Sequence, residues 1–317
     1  MDFILNTKGI RMKSHLINTF ALVAALVMSK HAFAEVPNTF SAGTPAKASE
    51  VNENFEALDT RISEIQLEKT ITVDCAANTD ALRTELLNLG LSKTTINFSG
   101  SCSFPRGVLL TGKKLKLTGH NNAVIRGAGS IADAMFQIDN QSSVEFQDLE
   151  ISTASGNINL FASTGNSYAR MSKVKMQGTS NKERGLQTAI LVLEGSVLQI
   201  ANIDISNVTY GIAAMEGSKV KISGDTNIIN ASGTSGKWYL PSAALFISDN
   251  SLILAKNAVL NGYVGVQDNS TFKLDTGGIT GIALVVRNNS VVSLDNAITL
   301  SASVDSDATS IIYGSAW

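Results

Sequence analysis

The chain repeats one short phrase through its second half: one or two turn-forming residues of the Asp, Glu, Asn or Gly type, then Ser, then a strand in which apolar and polar residues alternate. Copies read Gln141-Ser142-Ser143-Val144 at the start, Glu216-Gly217-Ser218-Lys219-Val220 in mid-chain and Asn288-Asn289-Ser290-Val291-Val292 near the end, with a weaker one at Gly165-Asn166-Ser167-Tyr168. Aligned on Ser143, Ser167, Ser196, Ser218, Ser251, Ser270 and Ser290, they lie 24, 29, 22, 33, 19 and 20 residues apart, the spacing of a stacked solenoid. A unit this short cannot bury an apolar face alone, so successive copies must stack as coils around one continuous core.

Helical periodicity is missing between the anchors. The segments alternate with period two instead, as Val220 and Ile222 do against Lys219 and Lys221, and this predicts strands. Asn recurs at the turns, at Asn140, Asn166, Asn250, Asn269, Asn288 and Asn289. Stacked coils could join such side chains in a hydrogen-bonded rung, or Asn could serve only because it tolerates left-handed backbone angles. In repeat length and turn type the stretch 71–317 resembles the right-handed parallel β-helix proteins of the pectin-lyase-like superfamily. The resemblance implies an all-β, right-handed parallel β-helix solenoid. It carries little about activity, because one fold hosts many functions.

The N-terminus reads as a secretory signal peptide over 1–34: Lys13, the apolar run from Phe20 to Met28, then Ala32-Phe33-Ala34, with Met12 offering a second start. The run is too short and too interrupted to span a bilayer, which takes about 20 apolar residues. The expectation is an exported protein without a transmembrane anchor, extracellular or at the cell surface, with the periplasm as the alternative. An oxidising compartment predicts a Cys75–Cys102 disulfide over two free thiols. Removing Lys8, Arg11, Lys13, Lys30 and Asp2 from the 25 basic and 27 acidic side chains leaves 21 and 26. That acidic balance argues against nucleic acid as a partner.

Residues 35–70 read as a linker and a short coiled coil, in which Val51, Phe55, Leu58, Ile62 and Ile65 form a heptad seam. The stretch from Phe40-Ser41-Ala42-Gly43-Thr44-Pro45-Ala46 to Val51-Asn52-Glu53-Asn54-Phe55 is similar to one found near the N-terminus of exported bacterial and phage-tail-like proteins. The similarity implies a homo-oligomer, a trimer being one solution; packing of the helix on its own solenoid is the alternative. Residues 71–94 read as a capping strand and a lid helix capped by Asn78 or Thr79, striped by Leu82, Leu86 and Leu89 and ended by Gly90. The parallel β-helix is expected over 95–317.

Enzymes of the fold that the chain resembles cut or isomerise acidic polysaccharides. The paired carboxylates of a glycoside hydrolase have no clear counterpart: Asn78-Thr79-Asp80 sits in the lid, no Asp-Asp pair occurs, and His120 lies in Thr118-Gly119-His120-Asn121. No residues have the clustering of a metal site, and no cofactor motif is present. The two longest repeats hold 178–185 and 232–241, excursions expected to leave the solenoid at one corner, two coils and about 10 Å apart. Trp238 and Tyr239 could stack on sugar rings, and Lys182, Arg184 and Lys237 could meet anionic groups. The preferred expectation is a non-catalytic protein that binds a polysaccharide or cell-surface glycan through that face. The alternatives are a polysaccharide lyase or hydrolase, with Lys182 or Arg184 as base and Glu183 or Asp204 as carboxylate, and a purely structural stalk.

Overall fold

The computed structural model describes residues 37–40, 42–43, 45, 47–127, 134–153, 159–179, 188–232, 242–295 and 298–314, and for 61–66 the backbone only. The predicted leader 1–34 lies outside these residues. The chain divides into two units, Met1–Ile65 and Gln66–Trp317.

In the first unit the heptad segment forms helix α1, Ala48–Gln66. The chain before it is tied to its first turns through a reciprocal amide pair: Asn38 N–H donates to Asn54 Oδ1 at 2.9 Å, and Asn54 Nδ2 donates to the Asn38 carbonyl at 2.8 Å. Asn54 of the Val-Asn-x-Asn-Phe stretch therefore has a local task, satisfying backbone groups that the helix cannot reach. Val51 and Leu58 are half-buried, whereas Phe55 is 66% exposed. The side chains of Ile62 and Ile65 lie outside the described residues.

Among the described residues the second unit is all-β apart from one short helix, and its strands run parallel, each paired with the strand one coil away. One coil shows how the sequence makes it. Tyr168–Gln177 begins in a first sheet, bends at Lys173 and continues in a second; Thr188–Val192 forms a third. The next coil repeats this with Val197–Val208, bent at Asn202, and Tyr210–Ala214, in register with the strands below. Asp148, Lys173, Asn202 and Asn257 hold the bend between first and second sheets with φ of 52° to 57°. One left-handed residue turns the chain with minimal length, so few residues separate the two strands.

The serine anchors form one column inside the coil. Ser167 N–H donates to Ser196 Oγ (3.1 Å), Ser218 N–H to Ser251 Oγ (3.1 Å), Ser251 N–H to Ser270 Oγ (3.1 Å) and Ser270 N–H to Ser290 Oγ (3.2 Å). One detail differs from the sequence reading. The first anchor is Ser142, not Ser143: Ser143 pairs with Tyr168, and Ser142 is buried and donates to Ser167 Oγ. Two consecutive serines left the alignment ambiguous by one residue, and a one-residue slip reverses which side chain faces the core. The coils also extend past the recognised copies, back to Thr94–Phe104 and Lys114–Gly127 and forward to Ser310, whose Oγ accepts from Ser290 N–H.

The turn asparagines Asn140, Asn166, Asn250, Asn269, Asn288 and Asn289 all have φ between 54° and 61°, so left-handed backbone is what each contributes. Side-chain stacking of amides occurs elsewhere, on the second sheet, where Asn261 Nδ2 donates to Asn230 Oδ1 and Thr280 Oγ1 to Asn261 Oδ1. The core is a continuous apolar column; at one end Phe104, Phe136, Phe146 and Phe161 stack with ring centroids 5.0 to 5.6 Å apart.

At the start of this unit Lys69–Asp74 pairs with Thr94–Phe104, and helix α2, Ala81–Leu87, packs Leu82 and Leu86 into the core. The helix is shorter than expected. Asp80 stands at its N-cap without a side-chain cap bond, Asn78 instead accepts from Asp80 N–H at 3.0 Å, and the helix ends at Leu87 with Leu89 half-buried beyond it. The Cys75–Cys102 disulfide is formed, both residues fully buried, Cα atoms 5.0 Å apart. No helix among the described residues is long and apolar enough to cross a membrane.

Candidate binding face on the third sheet

Six of the seven site residues expected from the sequence, Lys182, Glu183, Arg184, Lys237, Trp238 and Tyr239, lie outside the described residues. The ends of their two excursions are described. One leaves the second sheet after Gln177 and re-enters at Thr188; the other leaves after Ala231 and re-enters at Ala243. Both therefore join the second sheet to the third, and Tyr210 is the register partner of Thr188 on one side and of Ala243 on the other. Asp204 is elsewhere: it is exposed on the second sheet, in register between Lys175 and Ile228, with no charged partner in hydrogen-bonding contact among the described residues.

The third sheet places Ile190, Ile212, Leu245 and Val264 in the main core. By strand alternation the positions just after these, Leu191, Ala213, Phe246 and Gly265, face outward; Tyr210 and Ala243 lie two before Ile212 and Leu245 and group with Phe246 only because alternation breaks there, Ala189 and Ala244 also packing in the core. Along that outer face run two columns, Thr188–Tyr210–Ala243–Tyr263 and Leu191–Ala213–Phe246–Gly265–Val285. Apart from Thr188 and the tyrosine hydroxyls they are apolar, and Tyr210, Ala243 and Tyr263 form a second cluster, separate from the core, against which Phe246, Ala283 and Val285 pack. The face is largely covered: Thr188, Tyr210, Ala213, Ala243, Tyr263 and Gly265 are buried, and Leu191, Phe246 and Val285 are half-buried.

Gly265 shapes the patch. A Cβ there would lie 2.6 Å from Tyr263 Cε1 and 3.3 Å from Phe246 Cδ2, so the two rings meet over a position that has no side chain. Tyr210 and Tyr263 are each 8% exposed, and burial raises the pKa of both phenols. Each hydroxyl therefore stays protonated at neutral pH, able to donate as well as accept. At the Tyr263 end, Arg287 and Asp305 form an ion pair whose two charges act on the Tyr263 phenol in opposite directions. Aromatic faces with protonated hydroxyls, bounded by an ion pair, suit a ligand with apolar ring faces and hydroxylated edges.

Sequence reasoning missed these residues because it followed the serines forward and not backward. Six residues before each anchor stands a third-sheet core residue: Phe136 before Ser142, Ile190 before Ser196, Leu245 before Ser251, Val264 before Ser270. That constant offset was available, and with strand alternation it would have placed Phe246 and Tyr263 on the outer face; Tyr210, two before Ile212, would have been read inward, because the break in alternation there shows only in the structure. Among the described residues no cluster of His, Cys, Asp and Glu has the geometry to hold a metal ion.

The fold and face together define the class as a β-helix-like solenoid with an aromatic outer patch. No protein-family model, no curated protein and no solved structure matches the chain.

Proposed function

We propose that the protein is an exported, oligomeric right-handed β-helix scaffold that binds glycans without transforming them, through the third-sheet face and the corner beside it. The observation that carries the reading is the register of Thr188, Tyr210 and Ala243: both irregular excursions re-enter the third sheet on either side of Tyr210, at the edge of the aromatic patch. Loops placed beside a rigid aromatic platform are a common way for a repeat protein to hold a ligand. Trp238 and Tyr239 would then add further rings, and Lys182, Arg184 and Lys237 charge.

The remaining parts of the proposal follow from the chain itself. The leader-like 1–34 would export it, which accords with the disulfide. Helix α1 would hold an oligomer through the Val51 to Ile65 seam, with exposed Phe55 in the interface. Helix α2 would serve as the lid on the first coil, whose edge would otherwise be open. The right hand follows from the strong bias of parallel strand crossovers.

The test is a glycan-binding screen and a polysaccharide-depolymerisation assay run side by side on protein beginning at Glu35, with Phe246→Ala and a Trp238→Ala plus Arg184→Ala pair. Binding without product, weakened about tenfold in Phe246→Ala, is the expected result. Product formation lost in the Trp238 and Arg184 pair would replace the reading with a lyase or hydrolase, and silence in both assays would leave a structural stalk.

A further inference from the structure

The first sheet carries a different surface. Along its outer face one column of register partners reads Lys116, Glu145, Arg170, Gln199, Lys221, Leu254, Lys273. Over these seven coils every second one places a cation there and the coil between does not; the column continues without cations to Thr95 and Thr70 at one end and Ser293 and Tyr313 at the other. With strands about 4.8 Å apart, the four cations recur every ~10 Å and span about 30 Å. The next outward column adds Lys114 beside Lys116, Tyr168 beside Arg170 and Lys219 beside Lys221, on the same alternate coils.

These charges are poorly neutralised. Arg170, Lys221, Lys114 and Lys219 have no ion pair among the described residues, and all four are exposed. Lys273 pairs with Asp275 at 2.9 Å at one end of the row. Near the other end Glu68, held below the usual carboxylate range first by its hydrogen bond from Lys93, also feels Lys116. Glu145 is the one acid within the row. A chain of net charge -2 thus sets six of its 25 basic residues on one strip of one sheet, four of them at a fixed repeat.

We propose that this strip is a second binding site, for an extended acidic polysaccharide lying along the solenoid axis with about one carboxylate or sulfate for every two sugar rings. An extended pyranose chain advances by roughly one strand spacing per ring, about 5 Å, so a charge on alternate rings falls beside a cation on alternate coils. Duplex DNA fits less well: about 30 Å of it carries roughly 18 phosphates against four cations in the row. The uncharged coils present Val197, Leu252 and Leu254 to the apolar faces of the intervening rings. The site is independent of the third-sheet reading, since the two faces share no residue.

The experiment measures affinity of the whole chain from Glu35 for hyaluronan, with one carboxylate per disaccharide, beside neutral dextran and a 20-base-pair DNA duplex, at several salt concentrations. Wild type should bind hyaluronan, progressively less as salt rises, and dextran not at all through this strip. Changing Lys116, Arg170, Lys221 and Lys273 to Gln should weaken hyaluronan binding about ten- to a hundredfold at low salt, the sum expected of four exposed charges. Lys221→Gln with Gln199→Lys keeps the net charge but breaks the repeat, and should also lose severalfold. Unchanged hyaluronan binding in the fourfold variant overturns the site, full binding in the charge-conserving pair overturns the spacing, and DNA binding as tight as hyaluronan overturns the ligand class. Phe246→Ala should leave hyaluronan binding intact, which separates failure here from failure of the third-sheet proposal.

Discussion

The backbone N–H of Ser142 donates to Oγ of Ser167, one coil further on, across 3.2 Å, while Ser142 Oγ accepts from Lys113 N–H on the other side at 3.1 Å. A hydroxyl turned inward at all but one of these turns thus satisfies the buried amide of the coil beneath it, and the column of serines is a second ladder running beside the strand ladders.

The ladder has one gap, and the gap makes a paired test. Ser218 Oγ is buried without a hydrogen-bond partner among the described residues, whereas Ser270 Oγ is the acceptor for the buried Ser251 N–H. Ser270→Ala should cost about 1 to 3 kcal/mol by stranding that amide, and Ser218→Ala should be nearly neutral or slightly stabilising. Equilibrium urea unfolding of the two variants decides it; equal losses would mean that serine acts there through something other than acceptance.

The disulfide joins Cys75, just past the first strand, to Cys102 in the next coil, 27 residues on. Cys75→Ser with Cys102→Ser should lower stability by about 3 to 4 kcal/mol through the freed loop. Wild type melted with and without reductant, beside the double variant, would show it, the reduced wild type and the variant melting together.

Acid sensitivity should concentrate in the last coil. Asp307 accepts from Asn288 N–H at 2.7 Å, and its carboxyl is held far below its ordinary value of 3.8, first by that bond and then by Ser310 and Thr309. A carboxyl depressed on folding contributes stability that is fully present above about pH 4 and is lost as pH falls toward the folded value. Hydrogen exchange at the Asn288 amide should therefore lose protection below pH 4 in wild type. In Asp307→Asn it should be weaker at neutral pH and insensitive to acid.

Phe55 is 66% exposed on α1 beside half-buried Val51. If copies associate through this seam, Phe55→Ser should weaken association by about 1.5 to 3 kcal/mol per buried ring. Sedimentation equilibrium on both proteins measures the change, and a monomeric wild type would remove the oligomer from the proposal.

Much of the fold was legible because a solenoid writes its period into the sequence. From the core residue six before each serine, through the serine, to the core residues two and four after it, the spacing never varies: Leu245, Ser251, Ile253 and Ala255 match Val264, Ser270, Phe272 and Leu274. What varies is the connection from second to third sheet, a single residue at Thr209 and eleven from 232 to 242. The register of the strands on either side is kept whatever that length is, so the sequence locates the excursions and says little else about them.

By itself, then, the sequence determined that this chain coils in parallel strands, where the turns fall, and that the two cysteines would meet. Only the tertiary structure decided which residues share a face across coils. Lys116 and Lys273 are 157 positions apart in the chain, yet they belong to one column. Tyr210 and Tyr263 likewise join one cluster through the register of third-sheet strands. Register is set by inter-strand hydrogen bonds and the need to keep every apolar side chain inside, both collective properties of stacked coils, and so the two surfaces proposed to bind glycans exist only once the coils have stacked.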